Sequence, residues 1–195
     1  MKRFVLVSLA TLAILFSSCD QFQLPSPEAL PDPAEGEAQV YFLAEFTSEL
    51  EPDAHTAILI SPTEEVRKFV SAENDLEDSW QELAFNPNVG AYYSLEALTV
   101  NFNLCETVDE TDMDWTTFST KEELAASAIG GELTSQDCRG PEETLTTLYA
   151  LVWNERFEYF EAVRLKEDGA CTQLNQSNAA KSLIEWMEAT AIPLL

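Results

Sequence analysis

Positive charge is scarce in this sequence, which has 10 lysine and arginine residues against 35 aspartate and glutamate residues, for a formal net charge of −25 at pH 7. Such a surface repels a phosphate backbone, so the composition excludes nucleic acid as a partner. Hydrophobic residues still make up 46% of the chain and include four tryptophans. That content argues against disorder and predicts a folded core.

Histidine is scarcer still, because His55 is the only one in the chain. A Ser–His–Asp or Cys–His catalytic site would have to use this residue. It lies at the start of a predicted strand, and the sequence contains no G-x-S-x-G elbow, Walker loop, G-x-G-x-x-G or H-E-x-x-H motif. We therefore interpret His55 as a structural residue, and the sequence identifies no catalytic residue.

The N-terminus has the pattern of an export signal. Lys2 and Arg3 precede an apolar run over residues 4–16, which Ser17 and Ser18 follow. The run is shorter than the roughly 20 apolar residues that a helix needs to cross a bilayer. A basic start, a short apolar run and small residues at its end predict a signal peptide over residues 1–18.

Residues 15–19 read LFSSC, which resembles the lipobox of bacterial lipoproteins. The resemblance implies that Cys19 is lipidated with palmitate-type acyl chains and becomes the first residue of the mature protein. It also implies an extracytoplasmic location in the bacterial cell envelope, with the membrane as a partner through the lipid. Two or more acyl chains anchor a protein stably. Phe16 stands where leucine is commonest in this motif, but it also disfavours ordinary cleavage after Ser18, which requires a small residue at that position.

The segment after the lipobox has the composition of a tether. Four prolines occur among acidic and small residues between positions 20 and 38, namely Pro25, Pro27, Pro31 and Pro33. Proline at this density sustains neither a helix nor a central strand and favours an extended chain at about 3.1 Å per residue. We therefore predict a tether over residues 19–38 and a single globular domain over residues 39–195.

The predicted disulfide pairing depends on whether Cys19 is lipidated. If it is lipidated, Cys105, Cys138 and Cys171 remain in an oxidising compartment and one of them has no partner. If it is not, four cysteines could form two bridges. Turn-forming residues flank Cys138 and Cys171, whereas Cys105 ends a predicted strand. We therefore predict the bridge Cys138–Cys171 and a free Cys105. The spacing does not match zinc sites, which need close pairs of ligands.

Residue patterns predict an α+β fold in which antiparallel strands, including a hairpin, pack with about three helices. Apolar runs predict strands over residues 39–46 and 56–60, although a short helix is also compatible with residues 39–46. Ser61 and Glu64 form a capping box that predicts a helix over residues 61–85. The alternation of apolar residues and asparagines predicts a strand over residues 100–104.

In the second half of the chain, residue patterns predict two helices and, between them, a segment that suits a hairpin or a helix. Ser119 and Glu122 form another capping box, which predicts a helix to residue 129. Residues 144–167 suit a β-hairpin rich in aromatic and β-branched residues, although a helix beginning near residue 141 also fits their pattern. Ser177 then caps a final helix that ends before Pro193.

A calcium site is a weaker hypothesis for residues 112–123. Asp112, Asp114, Thr116 and Glu123 stand at positions 1, 3, 5 and 12 of an EF-hand-like loop. Thr117 occupies the position where that loop requires glycine. The alternative is that the residues after Thr117 cap the next helix and the aspartates face solvent. Apart from this calcium hypothesis, the sequence implies no cofactor.

These observations lead to two hypotheses about function. The first is an envelope-anchored lipoprotein that serves as a binding or assembly module, with an unidentified ligand or protein partner. The alternative is a tethered extracytoplasmic hydrolase that uses carboxylates. An enzyme of that kind should have a pocket where at least two carboxylates with raised pKa values converge.

Overall fold

The computed structural model describes residues 39–48, 50, 54–71, 80–88, 90–109, 113–138 and 144–195. The signal peptide, Cys19 and the tether predicted for residues 1–38 therefore lie outside the described residues, as does Asp112.

An antiparallel sheet dominates the described part of the chain. It comprises the ten strands β1 (Val40–Ser48), β2 (His55–Ile60), β3 (Val66–Val70), β4 (Ala84–Asn86), β5 (Gly90–Ser94), β6 (Glu106–Thr107), β7 (Leu133–Gln136), β8 (Thr144–Asn154), β9 (Tyr159–Asp168) and β10 (Thr172–Asn175). The α-helices are α1 (Leu95–Leu104), α2 (Phe118–Ala128) and α3 (Asn178–Thr190). The strand order is β4-β5-β9-β8-β1-β2-β3-β6, and β10 pairs with both β9 and β7. The structure is mostly sheet and is compatible with the predicted α+β class.

The central strand β1 is buried on both faces, which explains its nearly continuous apolar sequence. Val40, Phe42 and Ala44 contribute to a core that includes residues of α2 and α3. Tyr41 and Leu43 point to the opposite face and contribute to a second core that includes residues of α1. All five residues are at most 1% exposed. The sheet is therefore the middle layer, with α2 and α3 on one face and α1 on the other.

The helix predicted over residues 61–85 is wrong. Ser61 instead begins the turn of the β2–β3 hairpin, where its backbone N–H donates to the Glu65 carbonyl (2.9 Å) and its hydroxyl accepts from the Glu65 N–H (3.3 Å). The capping motif therefore serves a tight turn, in which Glu64 has a φ of 62°. The next residues form β3, because pairing with β2 satisfies one edge of a buried strand. Residues 72–79 lie outside the described ranges.

The strand predicted over residues 100–104 is also wrong, because these residues end α1. The Ser94 hydroxyl caps this helix by accepting from the Ala97 N–H at 3.0 Å. Leu98, Asn101 and Phe102 are the buried residues of α1, and their spacing is that of a helix face. Asn101 is polar but only 1% exposed, so it belongs to the buried face of α1 although it looks like a solvent-facing residue in the sequence.

Three other predictions about secondary structure are confirmed. Residues 144–168 form the β8–β9 hairpin rather than a helix. Ser177 caps α3, since its hydroxyl accepts from the Ala180 N–H at 3.1 Å. The helix expected near residues 119–129 is α2, but it begins at Phe118 with Thr117 at the N-cap and without a side-chain cap. Gly130 follows its end with a φ of 73°, a left-handed conformation that favours glycine.

Asn175 joins three elements at the end of β10. Its amide donates to the carbonyls of Ala128 in α2 (3.1 Å) and Arg164 in β9 (3.4 Å). Its side-chain oxygen accepts from the Ser177 N–H before α3 (3.1 Å). The residue is 2% exposed, so these partners replace water. Gly131 packs against this amide so closely that an added Cβ would overlap it.

Gly131→Ala should therefore destabilise the protein by about 1–3 kcal/mol, the usual cost of overpacking a buried site. Urea denaturation of wild type and variant gives the difference. Gly130→Asn is the matched control, because the neighbouring space is open and asparagine tolerates a positive φ. In the background of Asn175→Ala, Gly131→Ala should cost less than in the wild type. Equal costs in the two backgrounds would show that the amide is not the obstacle.

Candidate functional site

The predicted disulfide forms between Cys138, just after β7, and Cys171, just before β10. The two strands pair in antiparallel register, with Gln136 opposite Thr172. Sheet pairing thus brings two loop cysteines together that are 33 residues apart in sequence. A bridge of this kind is consistent with an extracytoplasmic protein, because thiols in the cytosol are kept reduced.

Cys105 is a free thiol, as predicted, although its place in the fold differs from the expectation. It is the C-cap of α1 rather than the end of a strand. Its Sγ donates to the Asn101 carbonyl at 3.1 Å, and burial raises its pKa to about 12. Because the thiolate is the nucleophilic form, this thiol is inert near neutral pH.

A cavity of about 330 Å³ lies beside the disulfide, at the end of the sheet where β8 begins and β9 ends. Its lining residues are Thr144, Leu145, Glu167, Gly169, Ala170, Cys171 and Gln173. This volume is at the lower end of the range found for small-molecule sites, and a mixed apolar and polar lining is typical of them. Sequence reasoning missed this cavity, because its walls come from two segments, residues 144–145 and 167–173, that only the sheet register brings together.

The polar groups of the cavity are held in place by one another. The Glu167 carboxylate accepts from Arg164 Nη1 at 2.8 Å and from Gln173 Nε2 at 3.0 Å. Arg164 Nη1 also lies 3.5 Å from Gln173 Oε1. Side chains constrained in this way present a fixed arrangement of donors and acceptors, which is a prerequisite for selective binding.

The single histidine belongs to an aromatic cluster beside a partly buried carboxylate. The Glu45 carboxylate accepts from Trp80 Nε1 at 3.0 Å, and His55 Nε2 lies 3.7 Å from the same oxygen. The His55 ring packs edge-on against Phe69 and Trp80, with centroids 5.5 and 5.1 Å away. Tyr93 packs in the same core. Its pKa is raised mainly by burial and to a smaller extent by the negative charge of Glu45. These contacts fit a structural role for His55.

The sequence does contain an indication of this cluster. Glu45 interrupts the apolar run of β1, and a carboxylate on a buried strand needs compensating donors. The segment that supplies Trp80 is fixed in turn by Asn101. The Asn101 side-chain oxygen accepts from the Gln81 N–H at 2.7 Å, and the Asn101 amide donates to the Gln81 carbonyl at 2.9 Å.

The structure separates the residues of the calcium hypothesis into two kinds of local structure. Asp114 precedes a 3₁₀ turn, Trp115–Thr117, and its Oδ1 accepts from the Thr116 N–H at 3.1 Å. Glu123 lies on α2, and the loop positions between Phe118 and Glu123 are helical. No three histidine, cysteine or acidic side chains group as metal ligands within the described residues. Asp112 is outside them, so the calcium site stays a prediction.

None of the helices in the described ranges has the length and hydropathy needed to cross a membrane. No family model matches the chain, and neither a curated protein nor a solved structure shows significant similarity to it.

Replacing both bridged cysteines, Cys138→Ala with Cys171→Ala, should lower the free energy of unfolding by about 3–4 kcal/mol. The reason is that the unfolded chain loses a constraint between residues 33 apart. Urea denaturation with and without reductant measures the effect. Reductant should destabilise the wild type and leave the double variant unchanged. A crosslinked peptide containing Cys105 in a non-reducing digest would contradict the pairing.

Proposed function

We propose that the chain is a lipoprotein of the bacterial envelope, anchored through Cys19, whose folded part serves as a binding or assembly module. The LFSSC motif and the proline-rich residues that follow it support the anchor. The Cys138–Cys171 bridge supports an extracytoplasmic location. The acidic composition disfavours nucleic acid as the bound partner.

The position of the cavity relative to the start of β1 carries the binding part of the proposal. Val40, the first residue of β1, is opposite Val152, near the end of β8, whereas Ser48 at the other end of β1 is opposite Thr144. Thr144 lines the cavity. The cavity and the entry of the preceding chain are therefore separated by the length of β1, about 25–30 Å. The cavity is therefore at the end of the sheet opposite the point where the predicted tether joins the domain.

The alternative, a hydrolase that uses carboxylates, rests on Glu167 in the cavity wall. This carboxylate is paired with Arg164 at 2.8 Å, and among the described residues it is the one acidic side chain in the cavity wall, whereas hydrolysis by carboxylates uses two. Within the described residues, the carboxyl group whose pKa is raised by burial is Glu122, and it lies on α2 rather than in the cavity. The geometry therefore supports binding better than hydrolysis.

The anchor has a direct test. The mature wild-type protein should lack residues 1–18, carry acyl chains on Cys19 and partition into detergent. A Cys19→Ala variant should be neither processed nor anchored. Intact mass spectrometry and detergent partition measure both properties. Recovery of a water-soluble wild-type protein with an unmodified Cys19 would contradict the proposal.

Binding in the cavity is tested by filling it. Ala170 lies in the cavity wall and is exposed, so Ala170→Trp should occupy the space without disturbing the core. Ala126→Trp, at an exposed position on α2, is the matched control. Native mass spectrometry of protein extracted gently from the envelope should show a bound small molecule in wild type and control but not in Ala170→Trp. The same bound mass in all three proteins would exclude this cavity as the site.

A further inference from the structure

The turn between β8 and β9 carries an aromatic cluster in which Phe157 is exposed, Tyr92 is half-buried and Tyr159 is buried. Phe157 is 47% exposed and stacks on Tyr159 with an interplanar angle of 10° and centroids 5.6 Å apart. Tyr159 also packs against Tyr92 of β5 at 4.9 Å. The Arg156 guanidinium lies 5.0 Å from the centre of the Phe157 ring. We call these four residues, Arg156, Phe157, Tyr159 and Tyr92, the aromatic tip.

The aromatic tip lies at the end of the sheet where the described chain begins. The Trp153 N–H donates to the Gln39 carbonyl at 3.0 Å, one residue before β8 ends at Asn154. The turn is closed by hydrogen bonds from the N–H groups of Phe157 and Glu158 to the Asn154 carbonyl, at 3.1 and 2.9 Å. Whatever path residues 19–38 take, they join the sheet beside this turn.

We propose that the aromatic tip is a membrane-seating surface that rests on zwitterionic lipid headgroups. The inference rests on the proposed lipid anchor and adds an orientation to it. The half-buried Tyr92 has an apolar ring and a polar hydroxyl, a combination that favours the headgroup region of a bilayer, and the exposed Phe157 ring adds apolar contact. Arg156 can extend its apolar stem along Phe157 and direct its guanidinium to a lipid phosphate.

Charge and tethering determine which lipid surface suits the tip. Glu155 and Glu158 flank Phe157 and are exposed, and the chain as a whole is strongly acidic. These charges repel anionic lipids, so the zwitterionic surface is favoured. One exposed phenylalanine and one arginine bind weakly by themselves. An anchor in the same bilayer raises the effective concentration to the millimolar range, where a weak contact is occupied.

The test places a fluorescent probe at the tip and another at the far end of the sheet. Phe157→Trp marks the tip. Val70→Trp is the matched control, because Val70 is 59% exposed on β3, where it is opposite Thr56 near the other end of the sheet. Each lipidated variant is placed on phosphatidylcholine vesicles with brominated acyl chains, and the wild-type signal from the native tryptophans is subtracted.

The added fluorescence of Phe157→Trp should be quenched several-fold more than that of Val70→Trp. Equal quenching of the two probes would overturn the proposal, and near-ultraviolet circular dichroism of both variants verifies that each is folded. Phosphatidylglycerol vesicles should quench the tip probe less than phosphatidylcholine vesicles. Stronger quenching on the anionic lipid would contradict the zwitterionic assignment.

Vesicle flotation of the wild type separates this proposal from the anchor itself. If the lipidated wild type does not float with vesicles, the anchor fails and the seating surface fails with it. If it floats while Phe157→Trp remains unquenched, the anchor stands and the seating surface is wrong. If the Phe157 and Glu158 amides are more protected from hydrogen exchange in native envelopes than in the purified protein, and the tip is not quenched on vesicles, the tip would be assigned to a protein partner instead.

Discussion

The burial of β1 on both faces is the constraint from which the rest of the fold follows. Each of its first five residues is inaccessible to solvent, and neighbouring residues face opposite cores. A strand in this position needs a strand on each edge to satisfy its backbone groups and helices on each face to cover its side chains. β2 and β8 provide the edges, α2 and α3 cover one face, and α1 covers the other.

Two buried asparagines fix the helices relative to this sheet. Asn175 hydrogen-bonds to backbone groups near the end of α2, in β9 and before α3, so it sets the relative position of the helices on one face. Asn101 on α1 bonds to both backbone groups of Gln81 and thereby holds the chain that carries Trp80 over Glu45. Hydrophobic packing alone tolerates sliding of a helix, whereas a buried amide that must keep its partners specifies one arrangement.

Local sequence predicted elements wherever local and long-range interactions favoured the same structure. The runs of β1 and β2, the β8–β9 hairpin and the Ser177 cap were read correctly because their residues are buried in the way that their periodicity indicates. The capping box at Ser61 failed because the same hydrogen-bonding groups can close a tight turn, and the neighbouring strand β2 required a partner. The strand predicted from the alternation around Phe102 was wrong because Asn101, although polar, is buried on a helix face. The cavity could not be predicted, since its residues are adjacent only after β8, β9 and β10 are in register.

The disulfide links the candidate cavity to the compartment in which the protein operates. Cys171 is part of the cavity wall, and its bond to Cys138 holds the loop between β9 and β10 against the end of β7. In a reducing environment that loop would keep only the strand pairing on either side, and the wall next to Gly169 and Ala170 would lose its covalent support. A preformed cavity binds more tightly than one that a ligand must order. Under the proposal that this cavity binds a ligand, binding at this end of the sheet should therefore depend on the bridge and be weaker in the reduced protein.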